Sequence, residues 1–151
     1  MSSRLLKRLN NELSGLLKES LEGFVLTDYE NIMIWKGYIE GPPDTPFEKG
    51  KFHIQFTFDE DYPFKPPSVK FLQSIFHPNI YRDGKICVDI LETQNWAAST
   101  QVRTIILSLR SLFMDPNPMS PANRDAAKMF MENRSLYDEK VRKEIDFNLK
   151  K

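Results

Sequence analysis

Cys87 is the single cysteine of the chain, and it closes the segment His77-Pro78-Asn79-Ile80-Tyr81-Arg82-Asp83-Gly84-Lys85-Ile86-Cys87, which presents a thiol beside an amide. A lone thiol forms no internal disulfide, and with two histidines, His53 and His77, it has too few partners for a zinc site. Two readings stay open. Cysteine outside disulfides is among the most buried residue types and often behaves as a small hydrophobe, which favours an inert side chain. Against that, Asp83-Gly84 is a strong tight-turn pair and Pro78-Asn79 favours irregular chain, so Cys87 closely follows a loop, where chemistry concentrates. A cysteine hydrolase would need a histidine brought to Cys87, and both histidines lie upstream of it.

The elements that must position this thiol are legible in outline. The 151 residues fit a single domain, 1–151, long enough to bury about two thirds of its unfolded surface without staples. Twenty-one basic residues balance twenty-one acidic ones, so bulk capture by nucleic acid or an anionic membrane is not indicated. No apolar run opens the chain and no stretch of about 20 apolar residues occurs, which suggests a soluble protein of a reducing compartment, the cytoplasm or nucleus.

Leu5, Leu6, Leu9, Leu13, Leu16 and Leu17 recur at helical spacing behind Ser2 and Ser3, either of which could cap an amphipathic helix. Arg4, Lys7 and Arg8 in its first turns oppose the helix dipole, which points to an acidic partner surface or to a merely solvated face. From Phe24 to Leu72 the pattern changes to about four antiparallel strands, the clearest being Phe52, Ile54, Phe56 and Phe58 alternating with His53, Gln55 and Thr57. His53 then points outward. Tyr62-Pro63-Phe64-Lys65-Pro66-Pro67 must be a stiff exposed loop with a candidate cis bond at Tyr62-Pro63, and Phe64 there is a core plug or a docking knob. Gln101 to Met114 carries an apolar stripe of Val102, Ile105, Ile106, Leu109, Leu112 and Phe113, while Leu107 falls off it among Arg103, Thr104, Arg110 and Ser111. Shorter helices are expected over about 122–132 and 135–149.

Trp35, Gly41-Pro42 with Thr45-Pro46, Tyr62-Pro63-Phe64-Lys65-Pro66-Pro67, His77-Pro78-Asn79, Cys87, Trp96 and Asp115-Pro116-Asn117-Pro118 together resemble the ubiquitin-conjugating enzymes, the E2 class, over essentially the whole length. Met119-Ser120-Pro121-Ala122-Asn123 is similar to the branch serving histone ubiquitination and DNA-damage tolerance. The resemblance implies an α+β UBC fold: an N-terminal helix, a four-stranded antiparallel meander sheet and C-terminal helices. It implies that Cys87 takes a modifier from an E1 activating enzyme as a thioester and yields it to a substrate lysine. No metal or organic cofactor is implied, ATP being used by E1. Asn79 would donate to the oxyanion or lock the loop, two roles of equal weight. His77 and Pro78 match structural positions, and Ser120 matches the gate for the incoming lysine. Arg4, Lys7 and Arg8 would meet E1; Phe64 with Ala98 and Ser99 would dock a RING-type or HECT-type E3 ligase; Leu107 and Ser111 would hold the donor modifier. A monomer meeting these partners transiently is expected.

Three departures from the family pattern stand out. Ser120 replaces a common acidic residue, and phosphorylation at Ser120-Pro121 could restore the charge. Ala97-Ala98-Ser99-Thr100 replaces a small residue-Pro-Ala run. Trp96 lies nine residues after Cys87, one more than in many ubiquitin-specific members, so Glu92-Thr93-Gln94-Asn95 would form a longer loop. Enzymes for SUMO lengthen this region further, so a conjugating enzyme for another ubiquitin-like modifier is the alternative, with a catalytically silent E2-like scaffold behind it.

Overall fold

The computed structural model describes residues 1–87, 91–92 and 94–149. Helix α1 (Ser3–Lys18) precedes strands β1 (Phe24–Asp28), β2 (Ile34–Glu40), β3 (Lys51–Thr57) and β4 (Ser68–Phe71), and helices α2 (Val102–Met114), α3 (Arg124–Glu132) and α4 (Arg134–Leu149) follow. The strands form one antiparallel sheet in the order β1-β2-β3-β4, the meander expected from short Gly/Pro-punctuated connections.

Ser2 caps α1, its hydroxyl accepting the Leu5 N–H at 3.1 Å. Leu5, Leu9, Leu13 and Leu16 are buried, whereas Leu6 and Leu17 are exposed. Each of those two lies one residue, about 100°, from a buried leucine, so the core-facing stripe is narrower than the leucine count suggests. The acidic Glu12 falls within that stripe and is buried with it.

On the sheet the period-2 pattern sets the register. Trp35 pairs with Phe56 and Ile39 with Phe52, all four buried on the helix-covered face, while His53 is exposed as expected. Phe113 of α2 reaches this layer, with ring centroids 4.7 Å from Phe52 and 4.9 Å from Phe47. The loop 62–67 carries the expected cis bond at Tyr62-Pro63 but is not exposed throughout. Phe64 and Lys65 face solvent, while Tyr62 packs into the core against Phe58, and Pro63 and Pro67 are buried. Helix α3 begins at Arg124 rather than near Ala122. The N–H groups of Ala122 and Asn123 are drawn instead to the Pro78 carbonyl at 2.7 and 3.0 Å, and the Asn123 side chain caps the helix through the Ala126 N–H.

Candidate active site around Cys87

The segment leading to Cys87 is a short hairpin laid along β4. Tyr81 N–H donates to the Lys85 carbonyl at 2.8 Å, Gly84 N–H to Tyr81 at 2.9 Å, and the Gly84 carbonyl accepts from Phe71 N–H at 2.8 Å. Gly84 turns the chain at φ +94°, where a Cβ would run into the Phe71 carbonyl, so the turn requires glycine. The Cys87 N–H donates to the Asn79 carbonyl at 2.9 Å, and its residue is half-buried. Cys87 therefore follows a fixed loop and stands outside the buried core, as its place after the Asp83-Gly84 turn predicts.

His77-Pro78-Asn79 acts as a clasp, each residue gripping a different segment. The buried His77 ring accepts the Asn79 N–H at Nδ1 (2.9 Å), which leaves Nε2–H to donate to the Leu112 carbonyl at 2.8 Å. Burial lowers its pKa from 6.5 to about 4, with the Leu112 bond opposing, so the ring is a neutral strut and not a base. The Pro78 carbonyl holds the segment entering α3, as above. The Asn79 amide nitrogen donates to the carbonyls of Asn117 at 2.7 Å and Ser120 at 3.2 Å, and Oδ1 accepts the Asn117 N–H at 2.8 Å. Both amide hydrogens are thus spent on the loop 115–120. In this state the amide is a loop lock; donating to an oxyanion would mean releasing one of these carbonyls. Ser120 is exposed, and its carbonyl is held by the same Asn79 whose own carbonyl holds the Cys87 N–H.

Phe64, one of the residues expected to meet a ligase, is 63% exposed and therefore no core plug. The Arg4 guanidinium lies over its ring at 4.6 Å. Trp96 Nε1–H donates to the Pro63 carbonyl at 2.6 Å, joining the proline loop to the segment 96–100. Ser99 is exposed and Ala98 half-buried. Thr93, within the expected longer loop, lies outside the described residues; the N–H groups of Asn95 and Trp96 turn back onto the Glu92 carbonyl at 2.9 and 3.0 Å.

Arg8 does not stand with Arg4 and Lys7 as a displayed cation. Its Nε donates to Glu12 at 2.9 Å, and its two other nitrogens donate to the carbonyls of Ala98 at 2.9 Å and Thr100 at 2.8 Å. Four residues before Glu12 on the same helix face, it turns inward to the buried carboxylate, while Arg4 and Lys7 remain exposed. On α2, Leu107 is 48% exposed and Ser111 is exposed beside it. The neighbouring arginines are less solvated than the helical wheel suggests. Arg103 donates to the Gly15 and Glu19 carbonyls at 3.1 and 2.7 Å, capping the end of α1. Arg110 packs over Gly23.

Glu12 and the Tyr62 hydroxyl are the residues that sequence reasoning passed over. Tyr62 O–H donates to Glu12 Oε2, and Val102 N–H donates to Oε1 at 2.7 Å. A signal existed, because Leu5, Leu9, Glu12 and Leu16 follow helical spacing and a carboxylate in that series must be paired. Among the described residues, no three of His, Cys, Asp or Glu gather as a metal site, and no helix is long and apolar enough to cross a membrane.

The model of the ubiquitin-conjugating enzyme family matches residues 8–145. The chain is 43% identical over 147 residues to "Ubiquitin-conjugating enzyme E2 2" of Candida glabrata, covering 97% of this chain and 87% of that protein. The proteins of the same description from Kluyveromyces lactis and Saccharomyces cerevisiae are 43% and 42% identical, with 97% of this chain and 89% and 85% of theirs covered. A half-buried thiol on a clasped loop, in a four-stranded meander flanked by these helices, agrees with those matches, and the chain belongs to the ubiquitin-conjugating enzymes, the E2 family of cysteine-thioester acyl transferases.

Proposed function

We propose that this chain takes ubiquitin from an E1 enzyme onto Cys87 and passes it, with an E3 ligase, to a substrate lysine. The observation that carries the reading is the placement of Cys87: a half-buried thiol whose backbone is tied to Asn79 beside the exposed Ser120. In the first step the Cys87 thiolate attacks the E1 thioester carbonyl, a new C–S bond forms, and the E1 thiolate leaves. In the second a lysine amine attacks the same carbon, the C–N bond forms, the Cys87 C–S bond breaks, and the amine loses a proton to solvent. Negative charge builds on the carbonyl oxygen between these events, and a positioned N–H donor there is worth about 2.7 to 4 kcal/mol. Asn79 reaches that role once one of its loop carbonyls is released.

Arg4 and Lys7 supply the E1-facing charge, with Arg8 supporting the surface from beneath. Phe64, Ala98 and Ser99 meet a RING-type or HECT-type ligase, and Leu107 with Ser111 holds the donor ubiquitin so that its flexible tail keeps one attack geometry. Ser120 borders the path of the lysine. The chain needs no cofactor for this chemistry, works as a monomer, and belongs in the cytoplasm or nucleus.

The test mixes E1, ATP, ubiquitin and the protein, followed by a non-reducing gel. A thiol-sensitive adduct that disappears in Cys87→Ala supports the reading. No adduct with ubiquitin overturns it, and an adduct with SUMO in its place would assign the other modifier.

A further inference from the structure

We infer that Glu12 is a positioning residue for ligase-stimulated transfer: its buried carboxylate ties the ligase-docking face to the helix that holds the donor modifier. This rests on the functional reading above. Glu12 is 8% exposed on the apolar side of α1, where a carboxylate is unfavourable unless several donors satisfy it. Three donors do so, each from a segment that the functional reading uses. Tyr62 O–H comes from the loop bearing Phe64. Arg8 Nε, at 2.9 Å, comes from a guanidinium that also holds the carbonyls of Ala98 and Thr100. Val102 N–H, at 2.7 Å, is the first turn of α2, 90 residues along the chain.

The α2 contact is a cap supplied from outside the helix. Gln101, at the N-cap position, makes no side-chain cap hydrogen bond, so Glu12 provides the anion that the helix terminus favours. Leu107 lies five residues further on, about 7.5 Å along a rigid helix, so a shift of the Val102 end moves the donor-holding face with it. Burial, then the charge and hydrogen bond of Glu12, hold the Tyr62 phenol well above its ordinary pKa, so it remains a donor throughout the working pH range. Trp96 Nε1–H on the Pro63 carbonyl locks the two ligase-facing loops to each other. A ligase pressing on either loop therefore presses on the same carboxylate, a contiguous polar route to α2.

Glu12→Gln keeps the side-chain shape and an acceptor for Val102 but removes the charge that Arg8 and Tyr62 share. Tyr62→Phe removes one hydroxyl and is the milder variant should the first fail to fold. With the full chain, three rates are measured: charging of Cys87 by E1, discharge to lysine alone, and discharge with a saturating RING domain that stimulates the wild type. The first two are expected to stay within about twofold. The ratio of stimulated to unstimulated discharge is expected to fall about tenfold in Glu12→Gln and about threefold in Tyr62→Phe. A purely structural role would lower melting temperature but leave that ratio intact, because both rates scale with the folded fraction. Wild-type ratios in both variants overturn this inference alone; a wild type that never charges with ubiquitin overturns the functional reading as well.

Discussion

Replacing Asn79 by alanine separates loop locking from charge stabilisation. The change removes two donors, to Asn117 O at 2.7 Å and Ser120 O at 3.2 Å, and the acceptor of Asn117 N–H at 2.8 Å. Asn79 itself is 1% exposed, but Asn117 and Ser120 are exposed residues whose backbone groups water can partly recover. At about 1 kcal/mol per bond, discounted for that recovery, the loss is about 2 to 3 kcal/mol. For a domain of this size that is a drop of about 4 to 12 °C in Tm. Urea titration of wild type and Asn79→Ala measures it, with an unchanged m-value confirming that the same surface unfolds. Charging by E1 should persist while discharge to lysine slows. An unchanged urea midpoint alongside collapsed discharge would refute the clasp and leave the amide a purely catalytic donor.

Two further outcomes follow from the same geometry. His77 has its pKa lowered from 6.5 to about 4 by burial, so as pH falls the unfolded chain takes up the proton first. Stability is then full above about pH 6.5 and declines between about 6.5 and 4, by up to about 3 kcal/mol, and the difference between wild type and His77→Gln over that window isolates the contribution. Phe64→Ala, at a position 63% exposed and touched by the Arg4 guanidinium, should change stability by less than about 0.5 kcal/mol. Its charging rate should match wild type while RING-stimulated discharge falls at least about tenfold; retained stimulation would remove Phe64 from the ligase face.

Much of the site was legible because it is local. The Asp83-Gly84 turn, the exposed Phe64 and the off-stripe Leu107 each follow from neighbouring residue types and stand where that reading places them. The rest of the proline loop is less exposed than expected, because Tyr62, Pro63 and Pro67 are buried. The polar contacts were not legible in the same way. Arg8 reads as one more cation on a solvated face, because two of its three partners, the carbonyls of Ala98 and Thr100, lie 90 and 92 residues away, and the third, Glu12, is itself buried only by the fold. Arg103 similarly looks solvent-facing until the end of α1 is brought beneath it. Asn79 reads equally as donor or lock, and only the approach of the loop 115–120 commits its amide.

The sequence by itself determined the order of helices and strands, the apolar stripe of α2, the alternation along β3, and the one thiol on which a thioester could form. It could do so because side-chain periodicity and turn chemistry are properties of adjacent residues. Only the tertiary structure decided what the polar groups do: that His77 is a neutral strut, that Asn79 binds a loop, and that Glu12 joins three segments. A hydrogen bond needs its partner within about 3 Å and correctly aimed, and no pattern in one dimension encodes which distant backbone will arrive there.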